Sequence, residues 1–157
     1  MKRIIVVLML SLVLLCACAP TLPNEPAPLS LSYRGLELTV GMAADDAIAQ
    51  LGDDYTVTEA ESCAGQGMDR MYTYPSLRLY VFAPMSGAAV VSSVSYIDDG
   101  VETADGLRIG CTAENVVAVM GEPDEQHDAR LTYRSDDVIL TFGIRDGIVV
   151  SVVLSGE

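Results

Sequence analysis

A short helical pattern occurs twice in the chain, and strand patterns follow each copy. Apolar residues recur at helical spacing in residues 41–52 and, 69 positions later, in residues 110–121. Both copies carry acidic residues in the first turn and end on a glycine, Gly52 or Gly121, which suits a left-handed helix cap. The repetition predicts one small unit used twice, each beginning with a short amphipathic helix.

Strand patterns rich in β-branched and aromatic residues follow both helices. They occupy residues 55–61, 69–74, 77–82 and 88–97 after the first helix, and residues 125–133, 138–144 and 148–154 after the second. Residues 98–105 form an acidic, glycine-containing connector. We therefore expect an α+β fold of two tandem units, at residues 31–100 and 101–157. Each would be a short helix packed on an antiparallel β-sheet of three to four strands.

The pairing of the last two strands depends on the length of the turn between them. A three-residue turn at residues 145–147, with Gly147 left-handed, pairs Phe142 with Val150. A two-residue turn would instead pair Phe142 with Ser151 and mix apolar with polar positions on one face. The hydrophobic pattern therefore predicts the longer turn.

The N-terminus has the layout of a secretory signal. Lys2 and Arg3 precede an apolar run at residues 4–15, and proline-rich sequence follows. The run is short for a bilayer-spanning helix, and no basic cluster follows it. The stretch at residues 15–18 resembles the lipobox of bacterial lipoproteins, which implies a signal peptide at residues 1–17 and lipidation of Cys18. The alternative is ordinary secretion, with cleavage after Ala17 or Ala19.

Residues 18–30 are expected to tether a folded part to this anchor. Prolines at positions 20, 23, 26 and 28 favour an extended, polyproline-like segment. A lipid on Cys18 would hold the protein at a cell membrane or outer membrane, on the extracytoplasmic side.

Charge narrows the classes of partner. Once the signal is removed, the chain has seven arginines, no lysine and 22 acidic residues, which gives a formal charge of −15. Nucleic acid is therefore not expected as a ligand. Anionic lipid headgroups would also repel the folded part, so the lipid alone should touch the membrane.

A family resemblance rests on the second copy of the repeat. The residues on which the resemblance depends are Gly110, Thr112, Val116, Met120, Gly121 and Pro123, followed by Tyr133, Phe142 and the pair Asp146-Gly147. This run resembles the small outer-membrane lipoprotein family SmpA/OmlA, also called BamE-like. The β-lactamase inhibitory protein family is similar, with two such units in tandem. The resemblance covers residues 106–154 and, more loosely, residues 35–97. It implies a helical segment on an antiparallel sheet, present twice, and matches no binding residue of either family.

Two cysteines stay in the exported part. A disulfide between Cys63 and Cys111 would tie a loop of the first unit to the helix start of the second and stabilise the fold by about 4 kcal/mol. Alternatively, Cys111 is a small buried apolar side chain, because Met42 holds the same place in the first copy. A reactive thiol would need a base, and the only histidine is His127.

No motif for catalysis, metal or cofactor binding is evident. His127 lies in a polar stretch that suits a solvated edge strand, and scattered acidic residues lack the spacing of zinc or calcium ligands. Neither a phosphate-binding glycine loop nor a serine nucleophile motif occurs. The sequence therefore favours a protein that is not an enzyme and needs no cofactor.

Aromatic residues are the remaining lead to a function. Five of them fall in the strands of the first unit: Tyr72, Tyr74, Tyr80, Phe82 and Tyr96. Tyrosines on an exposed sheet face are good anchors for a protein partner, although the same face could join the two units. We expect a non-catalytic module for protein binding or envelope assembly, with an envelope or secreted protein as partner. The alternative is an inhibitor of a secreted hydrolase such as a β-lactamase.

Overall fold

The computed structural model describes residues 29–63 and 66–157. Strands hold 50% of these residues and helices 13%, so the fold is mostly β. In chain order the elements are β1 (Leu31–Tyr33), β2 (Leu36–Leu38), α1 (Ala44–Leu51), β3 (Thr56–Glu61), β4 (Gly67–Thr73), β5 (Leu77–Pro84), β6 (Val90–Tyr96), β7 (Glu102–Thr103), α2 (Ala113–Met120), β8 (Glu125–His127), β9 (Arg130–Ser135), β10 (Val138–Arg145) and β11 (Ile148–Gly156).

One large antiparallel sheet organises the chain. Its strand order is β3-β4-β5-β6-β11-β10-β9-β8, and a separate small sheet has the order β2-β1-β7. The predicted fold class, two tandem units with a sheet each, is therefore wrong. Strands β6 and β11 join the two halves, with Val94 opposite Leu154. Two separate sheets would leave both of these strands with unpaired backbone groups, and their pairing satisfies those groups.

The repeated segments make matching local contacts within this one sheet. The N–H groups of Gly41 and Gly110 donate to the carbonyls of Val91 and Val149, each over 2.8 Å. Both helices lie where the sequence pattern predicts them. Each is closed by its glycine at a positive φ of 85°. The repeat thus encodes how each helix begins and ends, whereas it does not determine the extent of the sheet.

Both helices and the small sheet pack on the same face of the large sheet. Ala47 of α1, Val116 of α2 and Leu38 of β2 are fully buried in one core with the inward side chains of the strands. The strand contribution to that core comes from Leu77, Leu79, Val81, Val91, Val94, Leu131, Leu140, Phe142, Val149, Val152 and Leu154. The large sheet therefore has one covered face and one open face.

The hairpin between β10 and β11 differs from its predicted register. Asp146 and Gly147 form a two-residue turn, with φ values of 53° and 76°. A bulge then shifts the pairing, so that Phe142 lies opposite Val152. Val150 takes up the extra position and is 41% exposed. The bulge restores apolar pairing without the longer turn, which is why the prediction of a three-residue turn was wrong.

The small sheet was not predicted. It consists of a hairpin, β1 and β2, that reverses at Arg34 and Gly35, and of β7, which lies inside the expected connector. Val101 and Thr103 are buried there, so this part of the connector contributes to the core. Each of these strands has only two or three residues, which is too short for a recognisable strand pattern.

The predicted signal peptide and Cys18 lie outside the described residues. Within the described part, neither helix is long and apolar enough to cross a membrane.

Candidate binding face

Strand β5 shows how the open face is made. Leu77, Leu79 and Val81 point into the core and are at most 1% exposed. Successive strand residues point to opposite faces, so Tyr80 and Phe82 lie on the open face, where both are half-buried. Two aromatic side chains thus lie on the face that neither helix covers.

Neighbouring strands complete a groove around these two aromatic residues. Met71 of β4 lies opposite Tyr80, and Val90 of β6 lies opposite Phe82. The groove encloses about 1030 Å³ and extends to Val153 of β11. Its other open-face lining residues are small or polar: Thr58, Ala60, Asp69, Ser93 and Ser95. The two halves of the chain therefore both contribute to the groove.

Charged residues border the groove on the open face. At the β11 end, Glu157 pairs with Arg134 over 3.0 Å. Towards β3, Asp69 contributes a carboxylate, because it lies opposite Phe82. The ion pair of Arg70 Nε and Glu59 Oε1, 2.8 Å apart, projects from the other face of the sheet, since Arg70 lies opposite Val81. Both ion pairs are partly exposed and add little stability. The rim of the groove is therefore charged, and its floor is apolar.

The five aromatic residues predicted as one surface do not form one. Tyr80 and Phe82 face the groove, whereas Tyr74 and Tyr96 are core residues, 1% and 5% exposed. Tyr72 lies opposite Leu79 on the covered face, with its ring centroid 5.0 Å from that of Tyr55. The prediction counted aromatic residues in strands without separating the two faces, so it combined core with surface.

The two buried tyrosines carry unusual hydroxyl groups. The hydroxyl oxygens of Tyr74 and Tyr96 are buried without a hydrogen-bond partner. Burial, reinforced by the neighbouring Tyr55 and Tyr72, raises the pKa of Tyr74 to about 12. Burial, with a smaller effect of Glu102, also raises the pKa of Tyr96 well above its ordinary range. Both side chains are held neutral, which suits a structural role in the core.

The two cysteines do not form the disulfide that their even number allowed. Both are free thiols, Cys63 exposed and Cys111 half-buried against the core. Cys63 follows β3 at the sheet edge, and the Cys111 carbonyl accepts from Val149 N–H of β11. Four strand spacings separate β3 from β11, about 19 Å at the usual spacing. A disulfide needs Cα atoms within about 7 Å. Cys111 thus packs partly buried against the core, as its alternative role of a small apolar side chain requires.

The remaining sequence candidates do not assemble a catalytic or metal centre. His127 is exposed on the edge strand β8, opposite Arg130, as its polar surroundings indicated. Within residues 29–63 and 66–157, no three His, Cys, Asp or Glu side chains are grouped to hold a metal ion.

Sequence reasoning missed several groove residues. Met71 and Val153 carry apolar contacts, and Ser93 and Ser95 supply hydroxyls. Alternation along the strands would have placed Met71 on the open face. Val153 could not be found in this way, because its place in the groove depends on the pairing of β11 with β6.

No protein-family model matches the chain, and neither a curated protein nor a solved structure is significantly similar to it.

Proposed function

We propose that this protein is a lipoprotein, anchored by lipid on Cys18 at the outer face of a cell membrane or in an outer membrane. In this proposal its folded part is a non-catalytic module that binds an envelope or secreted protein. The open sheet face is the surface that binds the partner.

The observation that carries this proposal is the groove around Tyr80 and Phe82. Large apolar pockets with a few polar groups are the usual sites of recognition, and aromatic side chains supply most of the binding energy at protein interfaces. Here the two rings stand beside Met71 and Val153 in a groove of about 1030 Å³. A protein partner suits this groove because its floor is apolar and its rim is charged.

The position of Leu29 is compatible with an anchored module. Its carbonyl accepts from Thr39 Oγ1 over 3.4 Å, and its side chain packs against the core. The chain thus enters the folded part on the covered face. Leu29 follows Cys18 by eleven residues, which reach at most about 40 Å when extended. An anchor attached on that side lets the open face point away from the bilayer.

The distribution of reactive groups supports a non-catalytic role. The only histidine, His127, lies on β8, at the edge of the sheet opposite to the β3 end of the groove. Among the described residues, the open-face lining of the groove offers hydroxyls and carboxylates and includes neither histidine nor cysteine.

Lipidation is tested on the full chain expressed in a bacterium that processes lipoproteins. Cys18→Ser should move the protein from the membrane fraction to the soluble fraction and abolish labelling by a radioactive fatty acid. Cys16→Ser is the matched control and should change neither the membrane location nor the fatty-acid labelling. Labelling that persists in Cys18→Ser would refute the anchor.

Partner binding is tested by capture from solubilised envelope and secreted proteins with mass spectrometry. The wild type should retain one stoichiometric partner, and the Tyr80→Ala/Phe82→Ala double variant should bind it at least about a hundredfold more weakly. Val119→Ala, on the exposed side of α2, is the control and should bind like the wild type. Equal capture by the double variant would refute the groove as the binding surface. Inhibition of a captured hydrolase would favour the inhibitor over the assembly module.

A further inference from the structure

Strand β3 is an open edge of the large sheet. It is the first strand in the sheet order, and among the described residues only β4 pairs with it. All six of its residues are exposed, and its register with β4 runs without a bulge. The opposite edge, β8, has only three residues. The longer edge is thus available over its whole length.

The direction of the free backbone groups follows from one hydrogen bond. Ser62 N–H donates to the Gly67 carbonyl over 3.1 Å, next to the last β3–β4 pair. In an antiparallel pair, bonded and non-bonded positions alternate along the strand. Residues 56, 58 and 60 therefore bond to β4. Val57, Glu59 and Glu61 direct their N–H and carbonyl groups away from the sheet.

Several features that usually block an exposed edge are missing from β3, which is protected only by the charges of Glu59 and Glu61. It has no proline, no lysine and no bulge, and Val57 is 48% exposed. The side chains of Val57, Glu59 and Glu61 lie on one face, and two of the three are acidic. Asp53 and Asp54 precede the strand and add to its negative charge.

Charge determines the kind of occupant. A second copy of the chain carries the same formal charge of −13, which opposes association between two such edges. A segment with basic residues would instead complement Glu61 and would share the carboxylate of Glu59, which also pairs with Arg70 over 2.8 Å. Because opposite residues of an antiparallel pair share a face, its basic residues must recur at every second position, with an apolar residue facing Val57.

We propose that β3 accepts, by strand addition, an extended segment of a protein partner with arginine or lysine at alternate positions. The backbone of that segment bonds to Val57, Glu59 and Glu61, and its basic side chains lie beside the two glutamates. This inference rests on the proposed protein-binding function, to which it adds a second contact surface and the chemistry of the partner.

The probe is a hexapeptide in the order arginine, threonine, arginine, threonine, valine, threonine, capped at both ends. The matched peptide has glutamate in place of both arginines. Amide hydrogen exchange is measured by NMR on the full chain in detergent micelles. With the arginine peptide, exchange at Val57, Glu59 and Glu61 should slow by about tenfold or more. Residues 56, 58 and 60 are already bonded and should not change. The glutamate peptide should bind about tenfold more weakly.

Two proline variants test the backbone contact. Val57→Pro removes one outward N–H and leaves the bonds to β4 in place, as prolines on edge strands do. Val57→Pro should abolish the slowing of amide exchange by the arginine peptide at Glu59 and Glu61, whereas Val57→Ala should keep it. Glu61→Pro makes the same test at the strand end if Val57→Pro does not fold.

Several results would overturn the inference. They are unchanged exchange at millimolar arginine peptide, equal binding of both peptides, or full binding by a folded Val57→Pro variant. Dimerisation that protects the same amides without peptide would show a second copy as the occupant and would also refute it. If the partner still requires Tyr80 and Phe82 but not the β3 edge, the proposed function stands and this inference alone fails.

Discussion

Replacement of Leu154 by alanine tests whether the two halves of the chain fold as one sheet. Leu154 is fully buried on β11, between Val94 of β6 and Leu140 of β10. The side chain therefore lies at the joint between the halves. The change keeps the hydrogen bond that the Ser93 hydroxyl donates to the Leu154 carbonyl over 2.8 Å. Its effect thus reports on packing.

The expected cost follows from the atoms removed. Three buried carbons are lost, and at about 0.8 kcal/mol each the transfer term is about 2.4 kcal/mol. A cavity term adds to this, since the neighbouring strands are held by their ladders and relax only in part. We expect a total loss of about 3 to 4 kcal/mol of unfolding free energy. Val150→Ala changes an exposed residue of the same strand and should cost less than about 0.5 kcal/mol.

The assay uses the uneven distribution of tyrosines. Six of the seven tyrosines precede residue 100, and the chain has no tryptophan, so tyrosine fluorescence reports mainly on the first half. Urea unfolding of Leu154→Ala, followed by fluorescence and by far-ultraviolet circular dichroism, should give coincident transitions that shift together. A fluorescence midpoint equal to that of the wild type, with only the circular dichroism curve shifted, would refute the cooperative single sheet.

Three further changes test local features of the fold. Thr112→Ala removes the helix cap in which Thr112 Oγ1 accepts from Asn115 N–H over 3.1 Å, and it should lower the unfolding free energy by about 1 kcal/mol. Ala43→Thr, at the uncapped start of α1, should raise the unfolding free energy by up to a similar amount. Both changes are measured by urea unfolding. Gly147→Ala should cost about 1 to 2 kcal/mol by the same assay, because residue 147 has a φ of 76°, whereas Ser155→Ala in the following strand β11 should cost little. Tyr74 has a pKa of about 12 when folded against about 10 when unfolded, so its stabilising effect is complete below pH 10 and is lost as pH rises towards 12. Tyr74→Phe should therefore stay folded to higher pH in a circular dichroism titration, and an unchanged midpoint would contradict the burial of this hydroxyl.

The helices could be predicted from sequence because their signals are local. Gly52 and Gly121 adopt the positive φ that a helix-ending glycine permits, and Thr112 caps α2. The helix cap, the apolar residues at helical spacing and the terminating glycine all lie within about a dozen residues, so tertiary structure need not be known to find them.

The single sheet could not be predicted in this way. Val94 and Leu154 lie in strands that alternate normally, and the same alternation suits a sheet edge, a sheet centre or an interface between units. The choice depends on a pairing between residues sixty positions apart, for which neither sequence segment carries a specific signal. The bulge at Val150 has a similar cause, since one inserted residue lets a two-residue turn and an apolar match coexist.

The residues of the candidate site also differ in whether local sequence is enough to place them. The phase of Tyr80 and Phe82 along β5 opposes that of Leu79, which the sequence shows directly, so strand alternation alone would have separated these two residues from the core. Tyr74 and Tyr96 were assigned to the same surface because tyrosine is common at protein interfaces, although both side chains are buried in the core. A tyrosine indicates an exposed site only when its strand phase opposes that of the apolar residues.

Both proposed contacts depend on the joint between β6 and β11. Without it, Val153 would not reach the groove that contains Tyr80, and β6 would be a second open edge competing with β3. The joint therefore does more than stabilise the fold, because it leaves one long free edge and makes one continuous binding face. A partner that contacts both Tyr80 and Val153 binds across the joint, so its binding energy opposes separation of the halves. Loss of packing at Leu154 should accordingly weaken partner binding even though Leu154 lies on the covered face.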